Sequence, residues 1–269
     1  MRDSAIRPWS RDCIRMVSWN IERGLQFPRI LEFLRTIEAD LILLQEVDLN
    51  ARRTHFRDIA SGLARALSMN FVFGKEFQEL SEGYSSASPA FQGQATLSPW
   101  PLSKGRLIQF RDQSHFWKPR WFVPELPVFQ RRTGGRVALV AEANVYGRKL
   151  VSYNLHLESK GEDSLRVRQL ADVLEDCRRY TDRPVFVIGG DFNLVAGGGD
   201  AANILSKAGF HDAVRLQGRP TTPVHGLPHR ASAIDWIFIS EDLNSQGRVH
   251  DDVHASDHYP VSVTIPSWR

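Results

Sequence analysis

Polar and ionisable side chains stand at the ends of apolar segments along this sequence, where buried strands ordinarily carry Val or Ile. In VIGGDFNL (187–194), the carboxylate of Asp191 and the amide of Asn193 follow an apolar run. A single Asp at a strand end is usually a turn or cap residue, and a single His is usually structural. Here, however, such side chains recur at six predicted strand ends, so separate structural explanations are a poor account of them. They are Asn20, Glu46, His156, Asp191, Asn193, Asp235, Asp257 and His258.

This combination of side chains indicates a particular chemistry. Carboxylate and amide oxygens, with few histidines and no cysteine, suit a hard divalent cation and make a poor zinc site. Acids together with a histidine are also what metal-assisted attack of water on phosphorus requires. Ligand sites in α/β sheets assemble at strand ends, so we expect a metal-dependent hydrolytic site there.

The segments that must position these side chains alternate between strand and helix in the first third of the chain, which is typical of an α/β protein. Apolar spacing predicts strands and helices in turn, and a hairpin and further elements after residue 135. The predicted strands are 14–21, 39–47, 70–77, 136–145, 150–159, 183–194, 233–240 and 259–265, and the predicted helices are 28–37, 55–67, 164–180 and 201–210.

Residues 78–132 interrupt this alternation, because Pro, Ser and aromatic residues dominate there. We predict an irregular aromatic and basic insertion within a single domain that spans 1–269, with a short strand within 93–102 that its prolines end. Trp117 and Trp121 could stack on bases, and Arg136, at the start of the following strand, could reach a phosphate. The alternative is that the aromatic side chains pack against the edge of the fold.

The composition excludes several classes of protein. No apolar run approaches the ~18 residues of a membrane span, so we expect no membrane insertion. The two cysteines, Cys13 and Cys177, are far apart and predict no disulfide framework. We expect a cytoplasmic monomer. The formal net charge of +3 is compatible with a phosphate-rich partner but does not require one.

Six motifs carry a family resemblance. SWNI, LLQEV, NLHLES, GGDFN, IDWIFIS and SDHYPV occur in this order between residues 18 and 261. Together they resemble the endonuclease/exonuclease/phosphatase superfamily, the Mg²⁺-dependent phosphoesterases related to deoxyribonuclease I. The resemblance implies an α/β fold of four layers, in which two packed mixed β-sheets are flanked by helices and the site lies in a cleft at one edge.

The resemblance also implies a metal site. Glu46 would be the principal ligand of Mg²⁺, or alternatively Mn²⁺. Asn20 would help to position the metal, and Asp257 would lie near the metal or the attacking water. The sequence HDDVH (250–254) suggests a second metal site, but we interpret it as a solvated turn.

The catalytic roles follow from the same resemblance. Asp191 would orient or deprotonate the attacking water, and Asn193 would contact the phosphate. His258 would donate a hydrogen bond to the phosphoryl oxygen as charge builds up, held in its tautomer by Asp235. His156 would face the phosphate.

The substrate is less well defined by these motifs. His156 in NLHLES resembles the sphingomyelinase, deadenylase, phosphoinositide phosphatase and tyrosyl-DNA phosphodiesterase branches, and HLES followed by RVRQL resembles the last of these most. We therefore expect a phosphoester of DNA or a nucleotide, with a phospholipid or phosphoinositide substrate, as in sphingomyelinases, as the alternative. A third alternative, a member that binds without catalysis, is disfavoured because the acidic and histidine residues are all present. Gln94 in GQATLS replaces the commoner Asn and leaves the geometry of that contact open.

Overall fold

The computed structural model describes residues 12–114, 131–194, 199–215, 219–223 and 231–268. Within these ranges the chain forms strands, α-helices and a short 3₁₀-helix at Arg52–Thr54. In chain order, the strands and α-helices are β1 (Cys13–Arg23), α1 (Phe27–Ile37), β2 (Leu41–Ala51), β3 (Arg57–Asp58), α2 (Ile59–Leu67), β4 (Asn70–Glu79), β5 (Ala90–Ser98), β6 (Leu102–Gln109), β7 (Arg132–Gly134), β8 (Val137–Val145), β9 (Arg148–His156), α3 (Asp163–Cys177), β10 (Val185–Asp191), α4 (Gly199–Lys207), β11 (His211–Asp212), β12 (Asp235–Ile239), β13 (Gln246–Val249) and β14 (Val261–Pro266).

The described strands form two mixed sheets. The first has the order β13-β14-β1-β2-β5-β4-β7, with β3 paired to β2, and the second has the order β11-β12-β10-β9-β8-β6. The pair β1–β2 in the first sheet and the pair β9–β10 in the second are parallel, and the other pairs are antiparallel. The parallel pairs therefore bring the carboxyl ends of two neighbouring strands to one edge of each sheet.

The two sheets pack face to face, with helices outside. Helices α1 and α2 place apolar stripes, such as Ile30 and Leu63, against the outer face of the first sheet. Helices α3 and α4 cover the second sheet with side chains such as Leu170 and Leu205. Between the sheets, a Cβ added to Gly189 would lie 2.7 Å from Cδ1 of Leu43. The chain is thus a four-layer α/β sandwich, which confirms the predicted fold class.

The period of two along a strand decides which side chains enter the layer between the sheets. In β9, Tyr153 points to the outer helix, where its hydroxyl donates to Asp176 at 2.8 Å. Asn154 therefore points inward, and its Oδ1 accepts from Nε2 of Gln45, in the other sheet, at 2.7 Å. His156, two residues further on, shares this inward face, so the parity of β9 aims it between the sheets.

The segment 78–132 contains more regular structure than the single short strand predicted within 93–102, which overlaps β5. The segment contains two complete strands, β5 and β6, and part of β7. In β6 the apolar signal is weak because this strand lies at the edge of its sheet and most of its residues are exposed or half-buried. Residues 115–130, including Trp117 and Trp121, lie outside the described residues.

The second predicted helix is shorter than expected. It begins at Ile59 rather than at residue 55, because the carboxylate of Asp58 accepts a hydrogen bond from the backbone N–H of Ser61 at 2.9 Å and caps the first turn. His55 and Phe56 precede it with left-handed backbone angles. Among the described helices, none combines the length and the apolar character needed to cross a bilayer.

Candidate active site

The side chain of Asp191, at the end of β10, lies close to groups from both sheets. Its Oδ2 accepts from Nδ2 of Asn20 at 3.3 Å. Asn20 is on β1 and points into the layer between the sheets. The Nε2 atoms of His156 and His258 lie 3.5 Å and 3.7 Å from the same oxygen. Its Oδ1 accepts from the backbone N–H of Asn193 at 2.9 Å. One buried carboxylate is therefore surrounded by nitrogen groups from four separate chain segments.

The glycine before Asp191 makes this position possible. Gly190 has φ 149°, and a Cβ on it would lie 1.9 Å from the carbonyl oxygen of Leu155 on the paired strand. Only glycine fits a backbone approach as close as this. The GG of the GGDFN motif thus brings the end of β10 tightly against β9, which carries His156.

His258 is held by a carboxylate on its other side. Its Nδ1 lies 2.9 Å and 3.1 Å from the two oxygens of Asp235, the first residue of β12. Burial disfavours the imidazolium, but the carboxylates of Asp235 and Asp191 outweigh burial and raise the pKa of His258 to about 10. The imidazolium form is therefore present at neutral pH, with Nε2 directed toward Asp191.

Thr221 positions Asp235 and was not found from the sequence. Its hydroxyl donates to Oδ2 of Asp235 at 2.6 Å. The same hydroxyl oxygen accepts from the backbone N–H groups of Ile234 and Asp235 at 3.0 Å and 3.1 Å. Thr221 is fully buried, whereas its surroundings in the sequence, RPTTPVHG, are typical of a polar loop and carry no signal for this role.

The SDH turn is anchored to β1 by two side chains. The Ser256 hydroxyl donates to the backbone carbonyl of Asn20 at 2.6 Å and accepts from the backbone N–H of His258 at 3.2 Å. Nε1 of Trp19 donates to the carbonyl of His258 at 2.9 Å. Asp257, between the two anchored residues, is exposed, and its Oδ1 lies 3.2 Å from the hydroxyl oxygen of Ser256.

Two glutamates near the site lie at irregularities in the hydrogen-bond ladders of the first sheet. The register of β2 against β5 shifts between Leu44 and Val47, and that of β4 against β5 shifts between Lys75 and Phe77. The extra residues include Glu46 on β2 and Glu76 on β4. A bulge re-aims a side chain locally without ending the sheet. The neighbouring β1–β2 ladder shifts as well, between Asn20 and Arg23, so the irregularities form a row across the first sheet.

Glu46 is half-buried and has a left-handed φ of 52°. Its Oε2 accepts from Nε2 of Gln92 at 3.3 Å and lies 3.5 Å from a guanidinium nitrogen of Arg23. Burial works to raise the pKa of Glu46, but electrostatic interactions with His156 first, and then with Arg23 and Arg136, lower it to about 2. Glu46 is therefore anionic at neutral pH.

Glu76, which the sequence analysis missed, forms a buried pair behind His156. Its Oε1 accepts from Arg136 at 2.8 Å, and its Oε2 lies 3.6 Å from Nδ1 of His156. Burial opposes the charge of Glu76, but Arg136 and His156 lower its pKa overall. A sequence signal for Glu76 is absent because GKEFQEL resembles an ordinary surface strand.

Arg136 is placed behind the site rather than in it. Its side chain is only 4% exposed and also donates to the hydroxyl of Ser159 at 3.2 Å. This geometry disfavours the predicted contact with substrate, so we do not include Arg136 among the proposed substrate-binding residues.

Two amides have structural partners. Nδ2 of Asn193 donates to the carbonyl of Leu157 at 3.1 Å, which fixes the DFN turn against the end of β9. Gln94 donates to the carbonyl of Val137 at 3.0 Å and accepts from the N–H of Leu139 at 3.1 Å. Gln94 therefore joins the two sheets, and its place in the GQATLS motif is explained by this tie.

The donor set fits a hard divalent cation. Among the described residues, one group of acids and histidines has potential ligand atoms within 4.8 Å of one another, namely Asp191, Asp235 and His258. Within this group, Nδ1 of His258 is paired with Asp235 at 2.9 Å. Glu46 offers an anionic, half-buried carboxylate, and oxygens of this type are the ligands that Mg²⁺ and Mn²⁺ prefer. The predicted ligands Glu46, Asn20 and Asp257 thus remain predictions.

His250 in HDDVH has a structural environment. Its Nε2 lies 2.8 Å from the hydroxyl of Ser262, and its ring packs edge-on against Phe33 at 5.0 Å between centroids. Burial, together with the charge of Arg248, lowers the pKa of His250 to about 4, so it is neutral near pH 7. Asp251 and Asp252 are exposed, in agreement with a solvated turn.

Comparison with known proteins gives a consistent picture. The sequence profile of the Endonuclease/Exonuclease/phosphatase family matches residues 17–258. At the sequence level, no curated protein matches the chain significantly.

Several solved structures share the fold. An endonuclease/exonuclease/phosphatase from Beutenbergia cavernae has a TM-score of 0.70 at 19% identity, over 96% of this chain and 72% of the other. A humanized TDP2 from D. rerio has a TM-score of 0.67 at 18% identity, over 96% and 100%. A mannosyl-6-phosphatase from Bacteroides thetaiotaomicron has a TM-score of 0.66 at 16% identity, over 93% and 98%. At these identities the similarity is one of fold.

Proposed function

Because the chain belongs to the endonuclease/exonuclease/phosphatase family, whose members are phosphoester hydrolases, we propose that it hydrolyses a phosphoester by attack of an activated water. We further propose that the substrate is DNA or a nucleotide and that the reaction depends on Mg²⁺ or Mn²⁺. The observation that carries the proposal is the environment of Asp191, a buried carboxylate with two imidazoles within 3.7 Å.

Asp191 orients the attacking water and accepts its proton. The backbone N–H of Asn193 holds one carboxylate oxygen, and the other lies on the side of Asn20 and the histidines. This fixed orientation lowers the entropic cost of aligning the water with phosphorus. Asn20 thereby acts on the reaction through Asp191.

His258 stabilises the charge that develops on the phosphoryl group. Its Nδ1 is engaged by Asp235, so Nε2 carries a proton that it can donate to a non-bridging oxygen. His156, held from behind by Glu76, presents Nε2 to the same region. A divalent cation bound by Glu46, with Asn20 and Asp257 near it, would supply Lewis-acid stabilisation of the phosphoryl oxygens.

The preference for DNA or a nucleotide rests on the sequence motif NLHLES and on the basic composition. The fold itself does not select a substrate, because TDP2 and a mannosyl-6-phosphatase are similar to this chain to a comparable degree. Trp117 and Trp121 remain candidates for contact with bases. A phospholipid or phosphoinositide is the second candidate substrate, since the His156 motif also resembles sphingomyelinases.

The test is Mg²⁺-dependent cleavage of two labelled DNA duplexes, one with an abasic site and one with a 5′-phosphotyrosyl end. Wild type is compared with Asp191→Asn, and with Asp242→Asn as a control on an exposed acid. Sphingomyelin and phosphoinositide vesicles form a parallel assay. We expect cleavage of one duplex by wild type and by the control, and its loss in Asp191→Asn.

The outcomes separate the alternatives. Hydrolysis of the vesicles alone would replace DNA with a lipid as the substrate. Full activity of Asp191→Asn on any substrate would show that the assigned site is wrong.

A further inference from the structure

Arg23 forms an ion pair with Glu46, the residue that is proposed to bind the metal. One of its guanidinium nitrogens lies 3.5 Å from Oε2 of Glu46, and its side chain is 28% exposed. Both partners are partly exposed, since Glu46 is itself 18% exposed. The pair therefore lies where both a cation and a substrate could reach it.

The backbone of Arg23 is fixed, so only its side chain is free to change partner. Glu22, Arg23 and Gly24 all have left-handed φ angles, of 44°, 66° and 80°. Two hydrogen bonds, from Gly24 N to Ile21 O at 2.8 Å and from Leu25 N to Glu22 O at 3.2 Å, close the turn. A strained turn of this kind persists where the surrounding structure over-determines it.

A cation bound to Glu46 would lie close to the guanidinium of Arg23, which is 3.5 Å from Oε2 of the same carboxylate. Without metal, the guanidinium of Arg23 lies beside this carboxylate and balances its charge. A divalent cation on this carboxylate would repel the guanidinium at close range. Arg23 therefore opposes metal binding while it is paired with Glu46.

The other arginines nearby are not able to change partner in this way. Arg136 is 4% exposed and paired with Glu76. Arg132 is 14% exposed, lies 3.0 Å from Glu79 and donates to Gln92 at 2.9 Å. Of these three, Arg23 has the most exposed side chain and can turn toward an incoming ligand.

Building on the proposed function, we propose that Arg23 is a substrate-positioning switch: it neutralises Glu46 in the metal-free protein and transfers to an anionic phosphoryl oxygen when a divalent cation takes its place. A guanidinium presents planar donors that match the geometry of phosphate oxygens. Metal and phosphate binding are thereby coupled, because the metal releases the group that binds phosphate.

The proposal predicts two effects of opposite sign for Arg23→Gln. Without substrate, Mn²⁺ should bind to Arg23→Gln more tightly than to wild type, by roughly threefold or more, because the competing charge is gone. Inorganic phosphate should bind to the Mn²⁺-loaded variant more weakly, by roughly tenfold, because a charge-assisted hydrogen bond is lost. A general loss of structure would weaken both.

Mn²⁺ affinity is measured by electron paramagnetic resonance of the free ion, and phosphate affinity by ³¹P relaxation of the Mn²⁺-loaded protein. Arg29→Gln is the matched control, because Arg29 is exposed on α1 and its substitution removes the same charge. It should leave both affinities unchanged. Glu46→Gln should remove the Mn²⁺ site.

Each result decides the matter. Unchanged or weaker Mn²⁺ binding in Arg23→Gln would overturn the competition, and unchanged phosphate binding would overturn the transfer. If Glu46→Gln bound Mn²⁺ like wild type, the metal assignment in the proposed function would fail, and the switch with it. Failure to find a phosphoester substrate would affect the proposed function alone, because neither measurement uses turnover.

Discussion

Asp235 lies 2.9 Å from Nδ1 of His258, and this contact joins the start of a strand in one sheet to a turn that precedes a strand in the other. Both residues are buried. Because Asp235 engages Nδ1, the other nitrogen of His258, Nε2, faces Asp191. The proposed role of His258 therefore depends on the ionisation of this pair.

Replacement of Asp235 by Asn should move the alkaline limit of activity. In wild type the imidazolium persists until the pH approaches about 10, because the neighbouring carboxylates raise the pKa of His258 despite its burial. Asp235→Asn should shift the alkaline limb of the kcat/KM profile down by two or more pH units, toward the ordinary histidine value of about 6.5. Profiles between pH 5.5 and 10.5 measure this, with Asp242→Asn as control. An unshifted limb would show that His258 is not the acid.

The same pair should stabilise the fold in a pH-dependent way. Since the folded pKa of His258 is raised above the unfolded value of about 6.5, its contribution is fully present below pH 6.5. It is lost as the pH rises through about 10. Urea unfolding of wild type and His258→Gln should therefore differ most at pH 6 and least above pH 10. A difference that grows with pH would contradict this sign.

Thr221→Val should destabilise the protein by about 1–3 kcal/mol, because it leaves a carboxylate oxygen and two backbone N–H groups without their common partner. Thr221→Ser keeps the hydroxyl and should recover much of this loss. Thr181→Val, at an exposed position, is the control. Chemical denaturation measures the effect, and equal stabilities of the Val and Ser variants at position 221 would rule out the hydrogen-bonding role.

Arg136→Met should cost about 3–5 kcal/mol of stability, because it leaves the buried charge of Glu76 without its guanidinium partner. Addition of Glu76→Gln should restore part of it, so the double-mutant cycle should show strong coupling. The comparison is Arg111→Met, whose ion pairs with Asp172 and Glu175 are more exposed and should contribute much less to stability. Additive effects at 76 and 136 would contradict the buried pair.

Gly190→Ala should cost at least about 4 kcal/mol or prevent folding, because its Cβ would overlap the carbonyl oxygen of Leu155. Gly147→Ala provides the contrast. Its φ of 85° is also left-handed, but no atom lies within 4 Å of the added Cβ, so the cost should be about 1–2 kcal/mol. Thermal unfolding compares the two, and similar melting temperatures would refute the close approach.

Periodicity and strand-end chemistry predicted much of this structure. The predicted helices and strands correspond to observed elements with shifted ends, since apolar spacing reports burial directly. The strand-end residues Asn20, His156 and Asp191 could be predicted because strand parity directs each of them into the layer between the two sheets.

The sequence could not predict what depends on contacts between distant segments. Thr221 and Glu76 look like loop and surface residues, and their roles exist only because β12 and β9 pack beside them. Arg136 was expected to contact substrate, but a buried partner, Glu76, holds it behind the site. The bulges at Glu46 and Glu76 leave no mark on a pattern that is read one strand at a time.

The groups around Asp191 come from both sheets, and among the described strands no backbone ladder joins one sheet to the other. Asn20 belongs to one sheet and Asp191 to the other, and the contact between them is a single side-chain hydrogen bond. A slide of one sheet over the other by about an ångström would separate these groups while leaving every strand pair intact. The geometry of the site therefore depends on how the two sheets are aligned. The arrangement of groups around Asp191 can be lost while the fold is retained.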